Sequence, residues 1–441
     1  MENQRFSPDR RALLAGLGGA ALWPLLAGAN PAADISGPDP ARLDLALRQV
    51  AIALRTDAPA TPVWMLEGTG PGPASRLRPA GRLDLGLANG LPAAAGVSIR
   101  GLDGAATAEP LLVQPPIPAG GKITLTVPLR QSGTFLLDGR LSNESAARPL
   151  LPRVLVVEDD KPQTDRDEVL LIEDCRLKAD GAAAMPGREA GDAAPLFTVN
   201  RLPTIDITLK RNERLRLRMV NGCQRAIVAL RIADLAVRVM AIDSEAAEPF
   251  VARDGRIVLA PGTRVDALID ATAPVGTASP ILLHDGVAPQ PIGRIIMSND
   301  TPARDAPLPE AAPFLASPRS RIDLTGALRI DLPLDAAQWS EAAAFDKASA
   351  PVLRAARGRI IVLAITNNGA TPATFHLHGH HFRLLDRLDD GWKPFWLDTL
   401  AFQSGQTQRI AFAADFSGRW LMEMMGNGWS APRKLRWYEI G

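Results

Sequence analysis

Arg359-Ile360-Ile361-Val362-Leu363-Ala364-Ile365-Thr366-Asn367 is an alternating apolar strand that stops at an asparagine. The pattern also occurs as Gly81-Arg82-Leu83-Asp84-Leu85-Gly86-Leu87-Ala88-Asn89 and as Glu213-Arg214-Leu215-Arg216-Leu217-Arg218-Met219-Val220-Asn221. In each copy, apolar residues stand two, four and six positions before the Asn. A period of two places them on one face of a strand, with Asn opening the turn. A second pattern follows each copy, a glycine turn that leads into a strand. It reads Pro118-Ala119-Gly120-Gly121-Lys122-Ile123, then Ala260-Pro261-Gly262-Thr263-Arg264-Val265, then Gln403-Ser404-Gly405-Gln406-Thr407-Gln408. These glycines are 262 − 120 = 142 and 405 − 262 = 143 residues apart. Two independent patterns at one spacing imply three copies of one β domain. The expected domains are residues 38–157, 168–297 and 319–441. A charged stretch broken by Pro162 joins the first two, and a Pro-, Ala- and Asp-rich linker, 298–318, joins the last two. Short alternating strands with frequent Gly/Pro turns predict an all-β chain of three tandem Greek-key β-sandwiches.

Composition agrees with this size and class. The 441 residues are 46% hydrophobic and 22% charged, which is ordinary globular usage. A formal net charge of +1 leaves no electrostatic footprint for nucleic acid. Near the start, Arg10-Arg11 precedes an apolar run from Ala12 to Ala29 that ends in Ala27-Gly28-Ala29. A twin-Arg pair, a short apolar region and an A-x-A site form an export signal, so residues 1–29 are expected to be cleaved. The competing reading, an uncleaved anchor, is weakened by four glycines and Pro24 within a run that barely reaches spanning length. The expected location is the periplasm, reached by the twin-arginine pathway, with no transmembrane segment after cleavage. Export would permit a disulfide between Cys175 and Cys223, the two cysteines of the chain. Two buried free thiols are the other reading, and spacing does not separate them.

Four of the five histidines lie within six positions, in Phe375-His376-Leu377-His378-Gly379-His380-His381-Phe382. At strand spacing, His376, His378 and His380 are expected on one face, a grouping that suits copper, zinc or iron. His284, alone on an Ile281-Leu282-Leu283 run, reads as a strand-end residue. No G-x-S-x-G or P-loop is present, and no His is placed for a Ser-His-Asp triad.

The third copy resembles the multicopper oxidase family, whose members carry H-P-x-H-L-H-G-H, then an aspartate-containing strand, then W-x-x-H-C-H-x-x-x-H. Here these become Phe375-His376-Leu377-His378-Gly379-His380, Trp396-Leu397-Asp398-Thr399 and Gly418-Arg419-Trp420-Leu421. The resemblance implies three cupredoxin-like domains, a mononuclear copper that takes electrons from substrate, and a trinuclear cluster held by eight His that reduces oxygen. Ligand by ligand, the chain departs from it. The mononuclear positions align with Ala373, Met424, Trp429 and Lys434, so the essential His, Cys and His are replaced. The trinuclear positions align with Ser98, Arg100, Asp138, Arg140, His376, His378, Glu423 and Met425, which keeps two of the eight His. A shifted alignment restores nothing, because no His precedes His284 and the third domain has no Cys.

The expectation is therefore a non-catalytic structural or binding protein, with no catalytic residue and no cofactor. It would be a monomer with a protein partner in the periplasm. The family's copper-free, twin-Arg-exported cell-division class shows the same signal and the same ligand loss, which suggests a link to cell division by analogy. The alternative is a copper binder or copper-dependent oxidoreductase that uses His376, His378 and His380, with the thioethers of Met422, Met424 and Met425 favouring Cu(I). The aligned cavity residues carry two Arg and two carboxylates. Buried together they would require pairing, so Arg100 and Arg140 are expected beside Asp138 or Glu423, with a contact between domains.

Overall fold

The computed structural model describes residues 40–55, 58–70, 72–140, 148–385 and 392–441; the expected signal, residues 1–29, lies outside them. Among the described residues, strands dominate and helix is confined to short 3-10 turns. Residues 38–441 form one compact unit.

The strands make three β-sandwiches. In the first, a five-stranded sheet runs in the order Lys122–Pro128, Arg82–Asn89, Ala41–Ile52, Thr61–Gly68, Leu150–Leu151. It shares a core with a four-stranded sheet of Ala74–Leu77, Arg153–Val157, Gly133–Asp138 and Ser98–Arg100. The second has six strands, Ala194–Val199, Arg166–Leu177, Arg214–Asn221, Arg264–Asp270, Arg238–Ile242 and Glu245–Val251. Against them lie Ile205–Leu209, Pro289–Met297, Ala278–His284, Val228–Ile232 and Arg256–Leu259. In the third, Leu328–Pro333, Ile360–Thr366, Thr407–Ala413, Phe382–Leu385 and Trp392–Leu397 face a sheet built on Arg433–Ile440, Gly418–Gly426, Ala373–Leu377 and Thr399–Phe402. In each sandwich the opening strand pairs in parallel with the strand that leads to the Asn. Parallel neighbours require a crossover instead of a hairpin, and this gives the Greek-key connection.

The two sequence patterns meet each other in all three sandwiches. The Asn89 side chain donates to the carbonyls of Ala93 (2.9 Å) and Ile117 (2.8 Å) and accepts from Leu91 N–H (3.0 Å). Asn221 repeats this with Ala226, Leu259 and Cys223, and Asn367 with Thr371, Gln403 and Gly369. Gly120, Gly262 and Gly405 donate their N–H to the carbonyls of Asn89, Asn221 and Asn367 at 2.7–2.8 Å. All three glycines have φ between 71° and 94°, a region that side chains disfavour, so the turn requires Gly. Asn is used because a buried strand end needs an amide that donates twice and accepts once.

Apolar packing continues between the first two sandwiches through Leu136, Val154, Val156, Val169, Leu171 and Val220. Cys175 and Cys223 are both buried as free thiols, and burial pushes both well above the usual thiol range, far from thiolate. His284 ends its strand as expected and accepts a hydrogen bond from Gly286 N–H (2.9 Å).

Candidate functional site

Strand pairing builds the site. Ser98–Arg100 lies antiparallel to Gly133–Asp138, with Ser98 opposite Asp138, so Ser98, Arg100 and Asp138 share a face. In the third sandwich His376 lies opposite Glu423, and Met425 opposite Arg433. These two faces meet across the first and third sandwiches, and the charged side chains pair there. Arg140 grips Asp138 with Nε at 2.7 Å from Oδ1 and Nη2 at 2.8 Å from Oδ2, a bidentate fork. Arg100 joins the halves, with Nε at 3.2 Å from Asp138 Oδ2 and Nη2 at 2.9 Å from Glu423 Oε2. Arg433 Nη1 donates to the same Glu423 Oε2 at 2.8 Å. His378 stands between Glu423 Oε1 (2.7 Å) and Glu109 Oε1 (2.8 Å). Every one of these residues is buried.

Electrostatics follow from these neighbours. Burial alone would raise Asp138 and Glu423, but Arg140 and Arg433 around the first, and Arg100 and Arg433 around the second, hold both well below the usual carboxylate range. Burial would lower His378, yet Glu109 and Glu423 outweigh it and raise the imidazole to about 9, so it is protonated at neutral pH. His376 goes the other way. Burial and the charge of Arg100 lower it to about 4, and its Nδ1 lies 3.0 Å from both the Asp398 carbonyl and Thr399 Oγ1. Two histidines whose rings are 4.8 Å apart thus carry different charges.

Each domain pair has its own buried arginine. Arg100 ties first to third. Arg140 ties first to second by donating to the carbonyls of Gly222 (2.7 Å) and Cys223 (2.6 Å). Arg264 ties second to third with a fork on Asp398 at 2.7 and 3.1 Å. Beside it, His381 contacts Asp103 Oδ1 (2.8 Å) and the Asp243 carbonyl (2.7 Å), and Arg319 binds both Asp103 and Glu245.

Two expectations from the sequence need correction or extension. His380 does not share a face with His376 and His378. The strand ends at Leu377, and Gly379 at φ 76° turns the chain, where a Cβ would lie 2.2 Å from Trp420. His380 therefore enters the aromatic core among Phe412, Phe416, Trp420 and Tyr438, bonded to Tyr438 Oη at 2.8 Å. The sequence reading also missed Arg433 and Glu109. Arg433 could have been found from the hairpin that sets it opposite Met425, but Glu109 lies in an irregular loop with no periodic signal.

The positions aligned with the mononuclear site lie apart from this network, while Ser98 and Met425 border it. Ala373 is buried in the third core and Met424 packs against it from the neighbouring strand. Lys434 pairs across from Met424. Trp429 points to the second sandwich, where its indole N–H donates to the Met185 carbonyl (2.9 Å) and Arg176 stacks on its ring. Ser98 Oγ donates to the Asp138 carbonyl (3.1 Å), and Met425 is buried beside Arg433.

His376, His378 and Glu423 bring their ligand atoms within 4.8 Å of one another. However, Glu423 is engaged by two guanidinium groups, and both ring nitrogens of His378 face carboxylates, Glu109 and Glu423. The cavity lined by Ser98, Glu109, His376, His378 and Asp398 has a volume of about 20 Å³, room for about one water.

Two multicopper oxidase family models match the chain, one over residues 160–277 and one over 323–424. No curated protein sequence matches it. Solved structures share its fold. The multicopper oxidase of Pseudomonas thermotolerans is 22% identical with a TM-score of 0.75, covering 91% of this chain and 99% of that one. McoA of Aquifex aeolicus is 16% identical with a TM-score of 0.74, covering 92% and 97%. A Campylobacter jejuni multicopper oxidase described as a metallo-oxidase is 16% identical with a TM-score of 0.69, covering 90% and 91%.

Proposed function

We propose that this chain, which its two family-model matches and its fold place in the multicopper oxidase family, is a non-catalytic member that uses ion pairs where its relatives hold copper. The observation that carries this is the Arg100–Glu423 pair, with Arg433 and His378 on the same carboxylate. A guanidinium cannot ligate copper, and a thiolate for electron entry has no source near Met424. Buried charges that satisfy one another fix the angle between sandwiches, so the protein offers a partner a rigid surface. Fixed domain geometry is the property a binding protein retains when chemistry is lost. Export by the twin-Arg signal, a periplasmic protein partner, a monomeric state and a link to cell division belong to the same proposal.

Copper loading tests it. The purified protein incubated with Cu(II) and with Cu(I) should retain less than one copper per chain after gel filtration, show no blue absorption band, and not oxidise phenols. A blue band with oxygen-dependent turnover would overturn it. Export has a separate test. Replacing Arg10 and Arg11 by Lys should hold the precursor in the cytoplasm, and unchanged export would remove that part of the proposal.

A further inference from the structure

A second cavity lies between the second and third sandwiches, and none of the positions aligned with copper lines it. Its volume is about 360 Å³, within the range of small-molecule pockets. The walls are aliphatic and aromatic, with Phe250 and Phe395 facing each other at 6.4 Å between ring centroids. Val258 at the rim is 64% exposed.

The backbone is adapted to this cavity. In the Arg238–Ile242 strand the register slips between Val239 and Ala241, against both neighbouring strands. On a regular strand Val239 and Ile242, three apart, would point to opposite faces. One bulged residue puts both into the cavity wall, and bulges re-aim side chains in this way beside binding sites. The lining contains a single charged residue, Arg256, and no carboxylate. Arg256 is exposed and lies across its strand pair from another arginine, Arg231.

We infer that this cavity binds an amphipathic monoanion, an aliphatic carboxylate whose chain enters between Phe250, Phe395 and Leu400 while its headgroup meets Arg256. Apolar walls supply the burial and the lone cation selects the headgroup. Sodium decanoate is the probe, and decanol its neutral counterpart. In isothermal titration calorimetry on the full mature protein, decanoate should bind at one site and more tightly than decanol. Arg256→Ala should weaken decanoate about tenfold and leave decanol unchanged. Ala401→Phe, which fills the cavity, should abolish both, with the thermal midpoint reporting that the variant is folded. Two results would overturn the assignment: no saturable decanoate binding to the parent protein, or equal weakening of decanoate and decanol by Arg256→Ala.

Discussion

The core of the third sandwich around Ala373 and Met424 and the seam between the first and third sandwiches are packed in opposite ways. The first, at Ala373 and Met424, belongs to the interior of one sandwich and is closed by apolar packing. The second lies between two sandwiches and is closed by Arg100, Arg140, Arg433, Asp138, Glu423 and His378. Location explains the difference. A gap inside a hydrophobic core can be filled by an unbranched, adaptable side chain such as Met. A gap between domains is walled by strand faces that already carry polar groups, and these need partners as much as volume. The ionic solution need not be more stable than an apolar one, but it sets one orientation, because each fork accepts one geometry.

The largest effect should come from removing the carboxylate on which three cations converge. Glu423→Ala leaves Arg100, Arg433 and His378 without that partner and should cost about 3–5 kcal/mol, read from the urea midpoint. Arg100→Met should cost less, about 1.5–3 kcal/mol, because Asp138 keeps Arg140 and Glu423 keeps Arg433 and His378. Equal costs for the two variants, or costs under about 1 kcal/mol, would mean that the network is solvated and does not hold the domains.

A neighbouring carboxyl sharpens the comparison because it is buried without such pairing. Glu173, in the second sandwich, is buried with no side chain hydrogen-bonded to its carboxylate. Burial, only partly offset by Arg201, raises it to about 7. A raised carboxyl binds its proton more tightly when folded, so its contribution is complete below the unfolded value near 4.5 and fades as pH rises through 7. Wild-type stability should therefore fall by about 2–3 kcal/mol between pH 5 and pH 8 from this group. Glu173→Gln should flatten that slope, as denaturant midpoints across the range would show. An unchanged slope would place the titration elsewhere.

The sequence made the frame legible because the frame repeats. Asn89, Asn221 and Asn367 and their partner glycines do the same work three times, and that redundancy exposes the pattern without a structure. Within the site, Arg100, Asp138 and Glu423 were legible because each stands on a strand whose alternation can be aligned with a motif, and Arg140 because it follows Asp138 by two residues. The placement of His380 was not, because period-two reasoning fails once Gly379 ends the strand. Nor was Arg264 on Asp398, since a contact between residues 134 positions apart depends on how the domains close. The apolar cavity was invisible for a related reason: its wall depends on a bulge that no local composition marks.

The smallest effect should fall at Met424. Met424 lies on the core side of its strand, opposite Phe375 and Lys434, with Met422 buried two residues before it. If it only fills space, Leu is close to it in volume and apolarity, and Met424→Leu should cost less than about 1.5 kcal/mol. The cost should also be the same at pH 5 and pH 8 and at low and high salt, since no charge is gained or lost. This contrasts with Glu423, one residue away on the opposite face, whose removal unbalances a charge network. The two denaturation series, run side by side, locate the boundary between apolar and ionic filling on a single strand. A pH-dependent cost for Met424→Leu would move that boundary, and would mean that the thioether contacts the charged network as well as the core.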